Sequence, residues 1–214
     1  MSRDVSAVKT PAASRSRKTG ILATLGLGLV LLVGITGCSS DPLAEQYRAG
    51  SGKNYIAGDG TVTEIVPENR TAPITFSGTS ETGETLASTA YAGNVLVVNF
   101  WYAGCAPCRA EAPTLEKVFQ ASKASGVNFM GVNVRDQPAT VVTFDKTFGV
   151  TYPSIVDLDG QAQLSFASNV PPNAVPTTLI LDRQGRVAAR ILGQLADASI
   201  LQTLITGLSA ESTQ

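Results

Sequence analysis

The feature that most constrains the fold is a pair of cysteines, placed where an apolar run gives way to a helical pattern. Residues 94–100 form an apolar run of the kind found in strands that are buried on both faces. A helix is predicted to begin at Cys105 or Ala106 and to end at Ser122. Cys105 and Cys108 have the Cys-x-x-Cys spacing, which lets two thiols form and open a disulfide with little backbone movement. The pattern therefore indicates thiol-disulfide exchange.

The absence of histidine and the distribution of charge exclude several other functions. The chain of 214 residues has no histidine, which rules out a Ser-His-Asp or Cys-His catalytic arrangement and a metal site that contains histidine. The chain has 16 basic and 17 acidic residues, and five of the basic residues but only one of the acidic residues lie in the first 37 positions. The rest of the chain therefore has 11 basic and 16 acidic residues, a net charge of −5. A net-acidic domain gives no electrostatic footprint for nucleic acid, and none is expected as a partner.

The N-terminus has the composition of an export signal. A basic segment ends near Lys18, and residues 20–37 then carry no charge. The run ends in Ile-Thr-Gly-Cys at residues 35–38, which resembles the lipobox of bacterial lipoproteins, where the cysteine is diacylated and becomes the first residue after cleavage. The resemblance implies a signal peptide at residues 1–37 and a lipid on Cys38. The other interpretation is an uncleaved transmembrane anchor, because about 18 apolar residues lie at the lower limit of a membrane span.

Lipidation also accounts for the odd number of cysteines. Three cysteines in an exported protein leave one thiol unpaired unless it is capped. With Cys38 assigned to a lipid, Cys105 and Cys108 remain as the pair. Residues 39–60 are rich in Gly, Ser, Asp and Asn without an apolar period, so residues 38–60 are predicted to be the lipidated cysteine and a flexible tether.

The rest of the chain is predicted to form one domain at residues 61–210, with a tail at 211–214. Besides the strand and helix around the cysteines, the predicted elements are a strand near 62–66, a hairpin over 73–86, a strand at 127–134, a helix at 139–148, an extended piece at 153–156, a helical turn at 162–167, strands at 177–182 and 186–192, and a helix at 198–208. Strands that alternate with helices and end in an antiparallel pair predict a mixed α/β layer fold.

Two separated motifs resemble a known family. Asn-Phe-Trp at residues 99–101 and Cys-Ala-Pro-Cys-Arg-Ala-Glu-Ala-Pro at 105–113 resemble the membrane-anchored thioredoxin-like oxidoreductases of the TlpA/ResA type, whose motif is Asn-Phe-Trp-Ala-x-Trp-Cys-x-Pro-Cys-x-x-Glu-x-Pro. Val-Pro-Thr-Thr-Leu-Ile-Leu-Asp at 175–182 is similar to a second motif of that family. The resemblance implies a thioredoxin-like fold, with a central mixed sheet flanked by helices, an extra N-terminal hairpin and a central insertion. One departure is Gly104, where the family has Trp.

The roles of the two cysteines follow from their positions on the predicted helix. At the helix N-terminus, unsatisfied N–H groups and the helix dipole stabilise a thiolate, so Cys105 is the expected nucleophile. Cys108, one turn further, is expected to be more enclosed and to resolve the mixed disulfide. The alternatives are a structural disulfide or half of a zinc site, and the zinc site would lack a second cysteine pair or any histidine.

Further site residues are implied by the resemblance. Pro176 is expected to be cis and to lie against the cysteine pair, and the backbone of Val175 before it is expected to bind a substrate strand. Glu111 matches the active-site glutamate of the family and would carry the proton that exchange must move. An ordinary exposed helix glutamate is the alternative. Trp101 is expected to pack beside the pair and to contact substrate, and Arg109 either favours the Cys105 thiolate or is solvated.

The expected function is therefore an extracytoplasmic thiol-disulfide oxidoreductase that acts on exported proteins and is anchored to the cell membrane as a lipoprotein. The resemblance implies a reductase of apocytochrome c cysteines, served by a membrane electron donor or acceptor. No cofactor beyond the Cys105–Cys108 disulfide and no metal are expected. The alternatives are a disulfide-forming oxidase, a peroxiredoxin-like peroxidase, which would need Thr in place of Tyr102, and a copper-delivery protein, which would need Cys-x-x-x-Cys and a histidine. The direction of electron flow is not encoded in these residues.

Overall fold

The structure, a computed structural model, describes residues 62–170, 174–195 and 197–211. The strands in these ranges are β1 (Val62–Glu64), β2 (Ser77–Thr79), β3 (Thr85–Ala87), β4 (Leu96–Trp101), β5 (Asn128–Asn133), β6 (Ser154–Val156), β7 (Thr177–Leu181) and β8 (Val187–Leu192). The helices are α1 (Ala106–Ser122), α2 (Pro138–Phe148), α3 (Gln161–Ser165) and α4 (Ala198–Ala210), with 3-10 turns at Pro67–Asn69, Ser88–Tyr91 and Lys123–Ser125. The signal peptide, the lipid site at Cys38 and the tether predicted for residues 1–60 lie outside the described residues.

Strand β4 lies inside a six-stranded mixed sheet whose strand order is β1-β8-β7-β4-β5-β6. It pairs in parallel with β5 and antiparallel with β7, which places Asn99 beside Gly131 on one side and beside Thr178 on the other. All six residues of β4 are buried, as the apolar run predicts. The predicted α/β arrangement, a central mixed sheet flanked by helices, is confirmed.

Apolar side chains form one core on each face of this sheet. Because side chains alternate along a strand, Val97 joins the cluster that contains Leu115 of α1 and Leu201 of α4, whereas Val98 joins the cluster that contains Phe166, just after α3. A third cluster lies at the end of β4 and contains Trp101, Cys105, Cys108, Ala112, Val141 and Phe144. Helix α2 therefore packs against the start of α1, where the two cysteines lie.

The N-terminal hairpin is shorter than predicted. Its strands are β2 and β3, which form a separate two-stranded sheet, and the predicted strand residues 73–76 lie outside it. The reason is that the backbone N–H of Ile74 donates to the carbonyl of Gly185 in the turn between β7 and β8, at 2.9 Å. Gly78 allows the hairpin to lie close to β6, because a Cβ at this position would collide with Cγ2 of Ile155. Strand β6 and helix α3 lie between α2 and β7 along the chain.

A partly buried cluster of charges joins the two ends of the described domain. The guanidinium of Arg70, whose side chain is 3% exposed, binds both carboxylate oxygens of Glu211 at 2.7 Å and one oxygen of Asp182 at 3.1 Å. Asp182 also accepts a hydrogen bond from Nε of Arg186 at 2.8 Å and from the backbone of the turn between β7 and β8. The contacts of the domain thus extend to Glu211, one residue beyond the predicted boundary at 210.

Substitution of Arg70 is expected to destabilise the domain. Arg70→Met should lower the free energy of unfolding by about 3 kcal/mol, because it leaves the buried Asp182 carboxylate with one cation fewer. Urea-induced unfolding can be followed by the fluorescence of Trp101, the single tryptophan of the chain. Lys117→Met at an exposed position of α1 is the control, with an expected change within about 0.5 kcal/mol. Equal unfolding midpoints for the two variants would contradict the prediction.

Candidate active site

Cys105 and Cys108 lie at the start of α1, directly after the loop that follows β4. Their sulfurs form a disulfide, and their Cα atoms are 5.3 Å apart. Cys105 is the N-cap of α1, and its Sγ accepts a hydrogen bond from the backbone N–H of Cys108 at 3.2 Å. The residues are 5% and 2% exposed, so Cys108 is the more enclosed of the two. The helix N-terminus favours a negative charge on the Cys105 sulfur once the disulfide opens.

The peptide bond between Val175 and Pro176 is cis, as the resemblance implies. Pro176 is buried, and its carbonyl accepts a hydrogen bond from the N–H of Gly193 at 2.9 Å. Val175 is half-buried and packs against the cluster that contains Trp101 and both cysteines. The structure thus brings this segment, 67 positions after Cys108, to the cysteine pair.

Glu111 is a buried carboxyl on the inner face of α1. Its side chain is 1% exposed, which excludes the alternative of an ordinary exposed helix glutamate. One oxygen accepts from the backbone N–H of Leu195 at 2.7 Å and the other from Nδ2 of Asn99 at 3.0 Å. Burial raises the pKa of Glu111 from its ordinary 4.5 to about 7, although the hydrogen bonds from Leu195 and Asn99 act to lower it. The carboxyl can therefore take up and release a proton near neutral pH.

A small cavity lies between Cys108 and the side-chain amide of Asn99, which binds Glu111. Its volume is about 10 Å³, close to the room that one water molecule needs. Asn99, Trp101, Tyr152 and Ser154 line it together with Cys108 and the apolar residues Ala112, Leu115, Phe144 and Val150. Because Asn99 lines this cavity and also binds the Glu111 carboxyl, the cavity and the Asn99 amide connect Cys108 with Glu111.

The loop before Cys105 is held by a carboxylate that the sequence analysis did not identify. Asp136 accepts hydrogen bonds from the backbone N–H of Ala103 at 2.6 Å and from Nδ2 of Asn133 at 2.9 Å. Asn133 ends β5, and the carboxyl ends of neighbouring parallel strands meet at one edge of a sheet. That rule could have placed residues 133–136 beside the cysteine loop. On the other side, Nη1 of Arg109 donates to the Ala103 carbonyl at 3.0 Å.

Trp101 is packed beneath the cysteines. It is 4% exposed, its ring lies 4.2 Å from that of Phe144, and its Nε1 donates to Oγ of Ser154 at 3.3 Å. A Cβ on Gly131 would collide with Oγ of Ser154 and lie 2.8 Å from Nε1, so only glycine leaves room for this contact. These contacts agree with the packing role expected for Trp101, whereas its contact with substrate stays a prediction.

The domain matches one family model and several known proteins. The model of the AhpC/TSA family matches residues 69–190, more than half of the chain. Thiol-disulfide oxidoreductase ResA of Geobacillus kaustophilus is 34% identical over 110 residues, which are 51% of this chain and 61% of the relative. The chain thus matches about three fifths of the length of that relative.

Two solved structures share the fold over nearly their whole length. A DsbF homologue from Corynebacterium diphtheriae is 31% identical, with a TM-score of 0.62 over 73% of this chain and 100% of the other. A secreted thiol-disulfide isomerase from Corynebacterium glutamicum is 26% identical, with a TM-score of 0.65 over 74% and 98%.

The family match includes the whole candidate site. Residues 69–190 contain Cys105 and Cys108, the buried Glu111 and the cis peptide bond before Pro176. The fold is shared with the solved relatives. The chain belongs to the AhpC/TSA family and is a thioredoxin-like protein of the TlpA/ResA type.

Proposed function

We propose that the chain is an extracytoplasmic thiol-disulfide oxidoreductase that exchanges disulfides with exported proteins and works as a reductase in cytochrome c maturation. The observation that carries the exchange chemistry is the Cys105–Cys108 disulfide at a helix N-terminus, beside the cis bond before Pro176. Relatives named thiol-disulfide oxidoreductase and thiol-disulfide isomerase support this reaction class. The reducing direction and the link to cytochrome c rest on the resemblance to the TlpA/ResA type.

In the reducing direction, the Cys105 thiolate attacks one sulfur of a substrate disulfide. A bond forms between Cys105 and that sulfur while the substrate S–S bond breaks, and the other substrate sulfur leaves as a thiolate that takes up a proton. The Cys108 thiolate then attacks Cys105, which closes the Cys105–Cys108 disulfide and releases the second substrate thiolate. Two electrons pass to the substrate in each cycle. A membrane electron donor that returns two electrons to Cys105 and Cys108 restores the dithiol.

Glu111 is the proposed proton acceptor for Cys108. The second attack requires the Cys108 thiolate, and this cysteine lines the small cavity that Asn99 connects to the Glu111 carboxyl. A pKa of about 7 suits a group that exchanges protons near neutral pH. With no histidine in the chain, Glu111 is the titratable side chain whose position supports this role.

The proposed substrate groove runs along the cis peptide bond. We expect the backbone of Val175, before Pro176, to bind an extended substrate segment beside Cys105, and the packing of Val175 on the cluster that contains both cysteines supports this role. Trp101 supports the pair from below through its contacts with Phe144 and Ser154. No cofactor other than the cysteine pair enters this scheme.

Export and lipid anchoring are supported by the N-terminal sequence. The uncharged run at residues 20–37 and the lipobox pattern that ends at Cys38 favour a lipoprotein, and the Corynebacterium glutamicum relative is described as secreted. Among the residues that the structure describes, no helix is long and apolar enough to span a membrane. The mass of the native protein tests the proposal. We expect a diacylated Cys38 at the N-terminus, and an intact, unmodified residue 1 would contradict it.

The direction of electron flow is tested by equilibrating the full chain with glutathione redox buffers. We expect a reduction potential well below that of glutathione, as a reductase requires, whereas a potential well above it would indicate a disulfide-forming oxidase. An oxidised Cys-x-x-Cys-His peptide serves as the second substrate. If the reduced chain opened insulin disulfides but not this peptide, the exchange activity would stand and the link to cytochrome c would fall.

Membership of the AhpC/TSA family makes a peroxidase the second candidate. The Thr-x-x-Cys signature of such enzymes would need Thr at position 102, where Tyr102 stands. We therefore expect hydrogen peroxide to oxidise the reduced chain no faster than it oxidises a simple thiol. Rapid, saturable consumption of peroxide would favour the peroxidase instead.

A further inference from the structure

Tyr102 and Gly104 depart together from the TlpA/ResA pattern, and the structure shows that the two departures fit each other. The pattern has Ala at position 102 and Trp at 104, whereas this chain has an aromatic ring at the first position and no side chain at the second. A Cβ on Gly104 would lie 3.2 Å from Cε2 and 3.5 Å from Cδ2 of Tyr102. The Tyr102 ring therefore lies where the side chain of residue 104 would begin.

The ring is held at the edge of the cysteine pair. The guanidinium carbon of Arg135 lies 4.0 Å from the centroid of the Tyr102 ring, a cation–π contact. The half-buried Tyr102 packs against the cluster of Trp101, Cys105 and Cys108, as Val175 does. Tyr102 and Val175 thus both pack against the cluster that contains the reactive disulfide.

Two arginines contact the loop before Cys105, Arg109 from α1 and Arg135 from the loop after β5. Arg135 and Arg109 are exposed, and neither forms an ion pair with any residue in the described ranges. Asp136, the neighbouring carboxylate, is occupied by the N–H of Ala103 and the amide of Asn133. The neutral donors on Asp136 do not cancel its charge, so the two arginines and this one carboxylate leave a net positive charge around the Tyr102 ring.

We propose that the Tyr102 ring, which lies where the side chain of residue 104 would begin, forms an aromatic wall of the substrate groove, and that Arg135, stacked on it, selects substrate segments with an acidic residue beside the reacting cysteine. The inference rests on the proposed exchange activity. A carboxylate on the substrate can pair with Arg135, which forms no ion pair within the described domain. The face of the Tyr102 ring offers contact area at low entropic cost. Because the charge lies at the rim, its effect falls mainly on binding and is screened by salt.

The test compares matched disulfide peptides with a small neutral disulfide. The full chain in mild detergent is reduced with dithiothreitol, freed of it, and mixed with peptides that carry Glu or Lys next to the cysteine, and with 2-hydroxyethyl disulfide. We expect a kcat/KM about fivefold higher for the Glu peptide than for the Lys peptide at low salt, with most of the difference in KM. Arg135→Gln should bring this ratio close to one, with a larger loss for the Glu peptide than for 2-hydroxyethyl disulfide. Arg135→Lys should keep most of the preference.

The control variant removes one positive charge at a position away from Tyr102. Lys146→Gln, at the opposite end of α2, should keep the wild-type ratio. If the Arg135→Gln variant kept the full preference for the Glu peptide, the inference would be wrong. If the wild-type chain reduced none of the three disulfides, the proposed function itself would fail. Reduction of all three without a preference would overturn the inference alone.

The role of the aromatic ring is tested by moving it from position 102 to position 104. Tyr102→Ala is expected to lower kcat/KM for both peptides by about fivefold and to lower it less for 2-hydroxyethyl disulfide. The double variant Tyr102→Ala with Gly104→Trp, in which no ring blocks position 104, should recover most of that loss. Peptide reduction by Tyr102→Ala at the wild-type rate would contradict the role of the ring.

Discussion

Replacement of Cys105 by serine is expected to lower the rate of insulin reduction by at least about a thousandfold, to that of the uncatalysed reaction, because the attacking sulfur is lost. The substitution removes one sulfur atom at the N-cap of α1, and a serine hydroxyl can still accept the hydrogen bond from Cys108. The fold should therefore persist, and the loss should be chemical. Turbidity of reduced insulin, with dithiothreitol as the electron source, measures the rate.

Cys108→Ser is the matched control for this prediction. It leaves the nucleophile Cys105 in place and removes the resolving sulfur, so the variant should form a stable mixed disulfide with its substrate. Mass spectrometry of the trapped complex should show the bond at Cys105. Activity retained by Cys105→Ser, or a complex trapped by Cys105→Ser and not by Cys108→Ser, would reverse the assigned roles.

Glu111→Gln is expected to change how stability depends on pH. Because the pKa of Glu111 is about 7 in the folded chain and near 4.5 ordinarily, the folded state binds this proton more tightly than the unfolded state does. The contribution of Glu111 to the free energy of unfolding should therefore be largest below about pH 4.5 and fall by about 3 kcal/mol as the pH rises through 7. Glutamine cannot ionise, so the variant should lose this decline. The Asn99 amide can turn its oxygen toward the new NH₂ group, which keeps the buried hydrogen bonds.

Asp145 provides the control, because it titrates in the same range. Burial, and then the charge of Glu81, raise the pKa of Asp145 to about 7, so part of the decline should survive in Glu111→Gln. Asp145→Asn should keep the part due to Glu111. Urea unfolding at pH values from 4.5 to 8.5 measures these slopes. Identical curves for wild type and Glu111→Gln would show that the Glu111 carboxyl does not ionise in this range.

Catalysis should respond to the same substitution. Without the proposed proton acceptor, Glu111→Gln should slow the resolution of the mixed disulfide by about a hundredfold near pH 7. The loss should shrink at higher pH, where Cys108 ionises unaided. Asp145→Asn should leave this step unchanged. A constant deficit at every pH would indicate a structural effect instead.

The sequence predicted the elements that carry the cysteines because local patterns determine them. The apolar run before Trp101 and the helix that starts after Cys105 have bounds close to those predicted. The cis bond before Pro176 came from the resemblance, since proline bonds are usually trans. Burial of Glu111 could be anticipated from its helical face, three residues after Cys108, but its partners could not.

Contacts between distant positions were beyond the reach of sequence reasoning. Asp136 binds the N–H of Ala103 from a loop 33 positions away, and Arg70 pairs with Glu211 across 141 positions. Neither pair leaves a periodic signal, because each depends on how the strands are ordered in the sheet. The fit between Tyr102 and Gly104 is local, yet it depends on a side-chain direction that residue types alone do not specify.

A single-turnover reaction tests the role of the cysteine pair most directly. The full chain is reduced, freed of reductant, mixed with oxidised insulin, quenched with acid and analysed by peptide mass mapping. We predict one Cys105–Cys108 disulfide formed for each insulin disulfide opened, with a mixed disulfide at Cys105 at early times. Insulin that stays oxidised while both cysteines remain thiols would contradict thiol-disulfide exchange by this protein.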